Sequence, residues 1–293
     1  MLNKIKIDML NAALKFMTVD EKIVRMFLET ASSNVNEIVI LPAVKIVMKK
    51  IIRKLRNKRV HGRVYNGELN GVKVSVIRSL VGSPVCAITL ECLKRCQTKI
   101  IVRVDFCGGI NIVNKNNHIN IGDILIPNLA YCGEGTSPHY IIKHSGLINK
   151  LNKIENPFSK ILDLKVGNQN VFISKPNEDL KSLLLKEGNF LHSNIVKEVD
   201  LWSTDALFCE SYAFINSLKS INVQGIDMES SILFLLGILF NLKTASVLSV
   251  SDLPGNPEYD MFKSNKLHPN MEKGINNAID LVIKTLPKIK SFV

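Results

Sequence analysis

The sequence predicts a single α/β domain built around a mainly parallel or mixed β-sheet. Short apolar runs of strand length, such as Glu37–Leu41 (EIVIL), Ile100–Val104 (IIVRV) and Thr244–Val250 (TASVLSV), alternate with stretches whose apolar residues recur at helical spacing. Hydrophobic residues make up 46 % of the 293-residue chain, ample for a core, while aromatics are only 6 %, so Ile, Leu and Val must fill it. No internal repeat or low-complexity linker divides the chain.

The elements follow in order. Met1–Thr30 carries Leu10, Leu14, Met17, Ile23, Met26 and Phe27 at helical spacing, which predicts an N-terminal helical arm over 1–30 ahead of an α/β domain over 31–293. Strand Glu37–Leu41 is closed by Pro42, and Ala43–Leu55 is a helix ending in basic residues, as suits a helix C-terminus. Val60–Tyr65 and Val72–Ile77 flank the turn-rich NGELNG and read as a hairpin. Gly82-Ser83-Pro84 opens a helix over Val85–Cys96, with Pro in the first turn. Strand Ile100–Val104 runs into a glycine turn at Cys107–Gly109, and Asp123–Pro127 is the next strand. Ala130–Tyr140 (AYCGEGTSPHY) is expected to be a polar loop, with Glu134, Thr136 and Ser137 as a turn or helix-cap cluster. Glu178–Glu187 and Ser211–Leu218 read as helices, Ile195–Leu201 as a strand, Pro254–Pro257 as a turn, and Pro269–Ile289 as a closing helix.

The organising stretch is Val223–Phe240 (VQGIDMESSILFLLGILF), a short strand that passes into a helix apolar on every side and therefore buried. Two acids, Asp227 and Glu229, stand at its mouth. A carboxylate there can cap the helix, or it can face a ligand pocket at the end of the strand, where open α/β sheets bind. Other charges also sit at strand ends: Arg103 and Asp105 after Ile100–Val102, and Asp252 after Val250. Charges are costly at a sheet core unless paired or placed in a site, so these residues are candidates as a group, with a structural Arg103–Asp105 ion pair as the plainer alternative.

The net charge of +12 favours anionic ligands in general. The basic run Lys45–Arg63 lacks aromatic stacking partners, which argues for a solvated face and against specific nucleic-acid binding. The six cysteines form no CxxC pair and no zinc spacing, so reduced thiols in a cytoplasmic protein and no metal are expected. No leader-like apolar segment opens the chain, and the longest apolar run, Ile232–Phe240, is too short for a bilayer, so no membrane association is expected. Cys107 reads as a packed thiol rather than a nucleophile. His61 reads as a surface residue beside the basic run, and His139 as loop structure or pocket rim.

Taken in order, the segments GSPVCAITLECL (82–93), IIVRVDFCGGI (100–110), GDILIPNLAYCGEGTSPHY (122–140), STDALFCES (203–211), GIDMESSILF (225–234) and SVSD (249–252) resemble the nucleoside phosphorylase family of the hexameric purine nucleoside and uridine phosphorylase type. That resemblance covers about residues 60–255 and implies a central mixed, partly barrel-like sheet flanked by helices. It implies phosphorolysis of a nucleoside, purine-leaning, to free base and ribose 1-phosphate. No cofactor is implied, inorganic phosphate serving as co-substrate, and a homodimer or hexamer is the expected assembly. By position, Arg103 would hold phosphate, Met228 and Glu229 would grip ribose, Leu207 and Phe208 would line the base pocket, and Asp252 would act as acid beside the base.

The family's phosphate features are altered here. Ala43 and Val47 stand where the family has Gly and Arg, and Asp105 and Phe106 stand in the RVDFCGG segment where the family has Gly and a hydroxyl donor. An added carboxylate repels phosphate; Lys45, Arg78, Arg59 and Arg63 are candidate replacements, the last two across a subunit interface. Three readings stay open: a phosphorylase with a rebuilt phosphate site, a water-using nucleosidase, and a catalytically impaired nucleoside-binding relative or structural subunit.

Overall fold

The computed structural model describes residues 15–112, 118–159, 169–264 and 266–293. In chain order the described helices are α1 (Val19–Leu28), α2 (Lys45–Arg53), α3 (Ser83–Leu93), α4 (Thr136–Lys143), α5 (Glu178–His192), α6 (Tyr212–Ser220), α7 (Ser230–Phe240) and α8 (Pro269–Ile289). The strands are β1 (Ile38–Ile40), β2 (Arg56–His61), β3 (Val64–Leu69), β4 (Val72–Ile77), β5 (Ile100–Gly109), β6 (Ile124–Cys132), β7 (Asn152–Glu155), β8 (Asn170–Ser174), β9 (Val196–Ser203), β10 (Gly225–Asp227) and β11 (Lys243–Asp252).

The eleven described strands join one mixed sheet, ten of them in the order β2-β3-β4-β1-β5-β10-β9-β6-β8-β7. β11 pairs with both β5 and β6, which closes β5, β10, β9, β6 and β11 into a ring. Closure removes two sheet edges and makes the partly barrel-like architecture that the family resemblance implies. Helices cover both faces. Val24 and Leu28 of α1, Cys86 and Leu90 of α3 and Leu233–Leu236 of α7 fill one core. Val47 and Ile51 of α2, Leu180 and Leu184 of α5 and Ile275–Ile289 of α8 fill the other.

The expected elements at both ends of the central stretch are present. Helix α7 spans the apolar run and is buried from Ser230 to Gly237; Asn241, in the left-handed region, stops it by donating its N–H to the Gly237 carbonyl. Helix α8 matches its expected bounds, with the His268 ring accepting from the Asn270 N–H and Pro269 opening the first turn.

Three expectations are corrected. The predicted hairpin is a three-stranded meander, because the polar residues read as turn include strand β3. The turn proper is Asn70-Gly71, whose φ values of 47° and 75° match a tight β-turn between twisted strands. The predicted glycine turn at Cys107–Gly109 is the continuation of β5. Its glycines serve close packing: a Cβ on Gly108 would lie 2.7 Å from Ile226 Cγ2 and 2.8 Å from Pro254 Cγ. The expected loop Ala130–Tyr140 holds the end of β6 and the start of α4. Glu134 caps that helix, accepting from the Thr136 N–H at 2.6 Å and the Ser137 N–H at 2.9 Å. Helix α1, within the expected arm, packs Val24 and Leu28 into the common core; residues 1–14 of that arm lie outside the described residues.

Candidate active site

The site is assembled by strand pairing. β5 and β11 run parallel, with Val250 opposite Cys107 and Asp252 opposite Gly108. β10 runs antiparallel to β5 with Ile226 opposite Gly108. The chain leaving β10 therefore heads back along β5, which carries Asp227 and Glu229 towards Arg103.

Arg103 Nη1 donates to Asp227 Oδ2 at 2.9 Å, and Nη2 donates to Glu229 Oε2. All three side chains are buried. Asp227 is fully engaged: it also accepts from Ser203 Oγ at 2.6 Å and caps α7 by accepting from the Ser230 N–H at 3.0 Å. The capping role open to either acid thus falls to Asp227, and Glu229 turns away from the helix. Its Oε1 accepts from the Gly82 N–H at 2.6 Å, at the entry to α3. Ser83 Oγ donates to the Met228 carbonyl at 2.7 Å, which pins the same junction from the other side.

Burial pushes the Arg103 guanidinium down, but Glu229 and Asp227 more than reverse this and keep it charged. Burial pushes the Glu229 carboxyl up to about 7; Arg103 opposes the rise while Asp227 and Asp105 add to it. The alternative Arg103–Asp105 ion pair is not formed. Asp105 instead accepts from backbone N–H groups: Oδ2 from Ala43 and from Val44 at 3.2 Å, Oδ1 from Phe106 at 3.0 Å.

These groups border a cavity of about 330 Å³ lined by Arg103, Asp105, Leu207, Glu210, Asp227, Met228, Glu229, Asp252, Phe262 and their neighbours. A larger groove of about 710 Å³, lined by Asn120, His192, Asn270 and Lys273 among others, contains none of the strand-end charges. The smaller cavity is the better candidate, because only there do charges from β5, β10 and β11 meet. Its volume falls in the usual range for small-molecule sites, about 300–1,000 Å³.

Most sequence-predicted site residues come together here: Arg103, Met228, Glu229, Leu207 and Asp252 all line the cavity. Phe208 does not; it is 85 % exposed, and its ring lies 5.1 Å from that of Phe262, tilted by 45°, and Phe262 does line the cavity. Arg59 and Arg63, expected to reach phosphate across a subunit interface, do not line this chain's own cavity. Arg59 is exposed on β2. Arg63 donates to the carbonyls of Phe27 at 2.9 Å and Arg78 at 3.1 Å. Arg103, which does line the cavity, gives Nη1 to Asp227 and Nη2 to Glu229, while its Nε has no partner among the described residues.

Sequence reasoning missed Glu210. It lies within the STDALFCES segment but follows no strand, and its half-buried place at the cavity is what marks it. Burial pushes its carboxyl up to about 8, with Asp252 and Asp260 adding to the rise. Burial likewise raises Asp252, against hydrogen bonds from Ser251 Oγ at 2.6 Å and the Met261 N–H at 3.4 Å. A carboxyl whose folded value is raised binds its proton more tightly when native. Glu210 therefore contributes stability that is complete below its ordinary value of 4.5 and is lost as the pH rises through about 8. The melting temperature is expected to fall across that window, less steeply in Glu210→Gln; an identical slope in the variant would assign the pH dependence to other groups.

The phosphorylase superfamily model matches residues 37–287. A DeoD-type purine nucleoside phosphorylase from Buchnera aphidicola subsp. Baizongia pistaciae is 26 % identical over 223 residues, covering 76 % of this chain and 78 % of the relative. A second, from Buchnera aphidicola subsp. Acyrthosiphon pisum, is 24 % identical over 258 residues, covering 86 % and 94 %. Uridine phosphorylase from Vibrio fischeri superposes with a TM-score of 0.63 at 22 % identity, over 87 % of this chain and 93 % of that one. A Plasmodium knowlesi homolog of the P. falciparum purine nucleoside phosphorylase gives 0.68 at 19 % identity, over 91 % and 94 %. The matched span includes every residue named at the cavity, and the closed mixed sheet agrees with both solved folds, so the chain belongs to the phosphorylase superfamily, in its nucleoside phosphorylase family.

Proposed function

We propose that this chain binds a nucleoside in the 330 Å³ cavity, with a preference for purines, and cleaves its N-glycosidic bond. The observation that carries this is the convergence of Met228 and Glu229, at the β10–α7 junction, with Asp252, at the end of β11, on one cavity. Breaking the C1′–N bond builds positive charge on the ribose and negative charge on the base. Glu229 is already held by Gly82 and Arg103, and each of its oxygens keeps a lone pair for a ribose hydroxyl. That is a positioning role. Asp252, whose hold on its proton is strengthened by burial, is suited to donate a proton to the departing base.

The purine preference rests on Asp252, since an acid suits a purine ring nitrogen, and no Gln/Arg pair suited to pyrimidine carbonyls lines the cavity among the described residues. Phosphorolysis to ribose 1-phosphate is the reading supported by the names of the curated relatives. Hydrolysis is favoured by one observation, the seating of Asp105 on backbone donors at the cavity wall. A homodimer or hexamer in the cytoplasm accompanies either reading; no described helix is long and apolar enough to cross a membrane.

The test is to incubate the protein with inosine, adenosine or uridine, with and without inorganic phosphate, and to quantify free base. Base release from the purine nucleosides, faster than from uridine, is expected. Faster release from uridine would overturn the purine preference, and no release under any condition would overturn cleavage.

A further inference from the structure

We infer that Asp105 is a resident anion that fills the cavity's anion subsite in place of phosphate, and that water is therefore the glycosyl acceptor; the second clause rests on the cleavage reading above. The entry to α2 presents the N–H groups of Ala43 and Val44 to the cavity wall, at the positive end of a nine-residue helix. Arg103, 2 % exposed, lines the same cavity, and its Nε has no partner among the described residues. Together these make a built anion site. Its occupant is already in the chain: the Asp105 carboxylate takes both N–H groups and that of Phe106.

The surroundings oppose a second anion. Asp105, Glu210, Asp227, Glu229 and Asp252 line the cavity against Arg103, the sole lining Lys or Arg among the described residues. Two of the Arg103 nitrogens are spent on Asp227 and Glu229. A phosphate would have to displace Asp105 and then sit beside it. A neutral water meets neither obstacle and finds an acceptor in the Asp105 carboxylate.

The hydrolytic step balances. The water oxygen bonds to C1′ as the C1′–N bond breaks. The electron pair of that bond leaves on the base, which takes a proton from Asp252, and the proton of the water passes to Asp105. The products are free base and ribose, and solvent exchange resets both carboxyls.

Phosphate binding is measured without nucleoside, by calorimetry and by the melting shift against chloride of equal ionic strength. Wild-type protein is expected to show neither heat nor shift. Asp105→Gly is expected to bind inorganic phosphate at least about tenfold more tightly, a change of about 1.4 kcal/mol. Saturable phosphate binding by the wild type, or a folded Asp105→Gly protein with no gain, would overturn the inference. Should Asp105→Gly fail to fold, the wild-type measurement still decides. With a cleaved nucleoside, ribose is the expected sugar product, and ribose 1-phosphate would overturn the water assignment. If no nucleoside is cleaved, the function proposed above falls while phosphate binding still decides the identity of the resident anion.

Discussion

Replacing Arg103 with alanine is expected to cost about 3–5 kcal/mol of folding stability, the usual penalty for stripping one partner from a buried ion cluster. Arg103, Asp227 and Glu229 are all essentially inaccessible to water, and the guanidinium is the cation both acids contact. Without it, two carboxylates remain beside each other in a low-dielectric interior, where like charges repel and neither is hydrated. Lysine is not a rescue, because one ammonium cannot reproduce the two-pronged contact. Neutralising all three positions, with Arg103→Met, Asp227→Asn and Glu229→Gln, should recover much of the loss, since no charge is then left buried. Urea midpoints at constant m-value read out both effects. A loss below about 1 kcal/mol in Arg103→Ala, the scale of an exposed pair, would show that the cluster does not hold the site together.

That cluster also shows what the sequence made legible. Arg103, Glu229 and Asp252 stand out because charge at a strand end is costly, a local signal readable without coordinates. Which acid takes which task is not local. Asp227 and Glu229 are two residues apart and either can cap α7; the antiparallel pairing of β10 with β5, across more than a hundred residues of sequence, decides that Asp227 caps and that both reach Arg103. Asp105 reads as an intruder that repels phosphate, and the structure gives it a positive task on N–H groups some sixty residues away. Its donors come from backbone, which no residue pattern advertises.

Errors elsewhere share a cause. Gly108 and Gly109 resemble a turn because glycine usually marks positive φ. In β5 they are small because Ile226, Pro254, Ile119 and Val250 crowd them from distant segments. Strand β3 is hidden because its half-buried residues, Tyr-Asn-Gly-Glu, lack apolar alternation, and pairing with β4 through six consecutive partners holds it instead. Phe208 joins the site only at second hand, through its ring on Phe262.

Replacing Asp252 with asparagine is expected to slow release of a purine base by about 10²–10⁴-fold, the usual worth of a positioned general acid. The amide keeps the shape and, with its single oxygen placed at Oδ1, still accepts from Ser251 Oγ; it gives up only the 3.4 Å bond from the Met261 N–H, so folding and nucleoside affinity should change little. What it cannot do is give up a proton as the base leaves. The distinguishing substrate is a riboside whose leaving group is stable as an anion, such as nitrophenolate. Such a group needs no proton, so Asp252→Asn should cleave it at nearly the wild-type rate. Glu229→Ala, by contrast, should slow both substrates, because it removes the grip on the sugar that they share. Equal losses of Asp252→Asn on the purine nucleoside and on the nitrophenyl riboside would rule out proton donation, and would leave Asp252 as a wall of the base pocket rather than its acid.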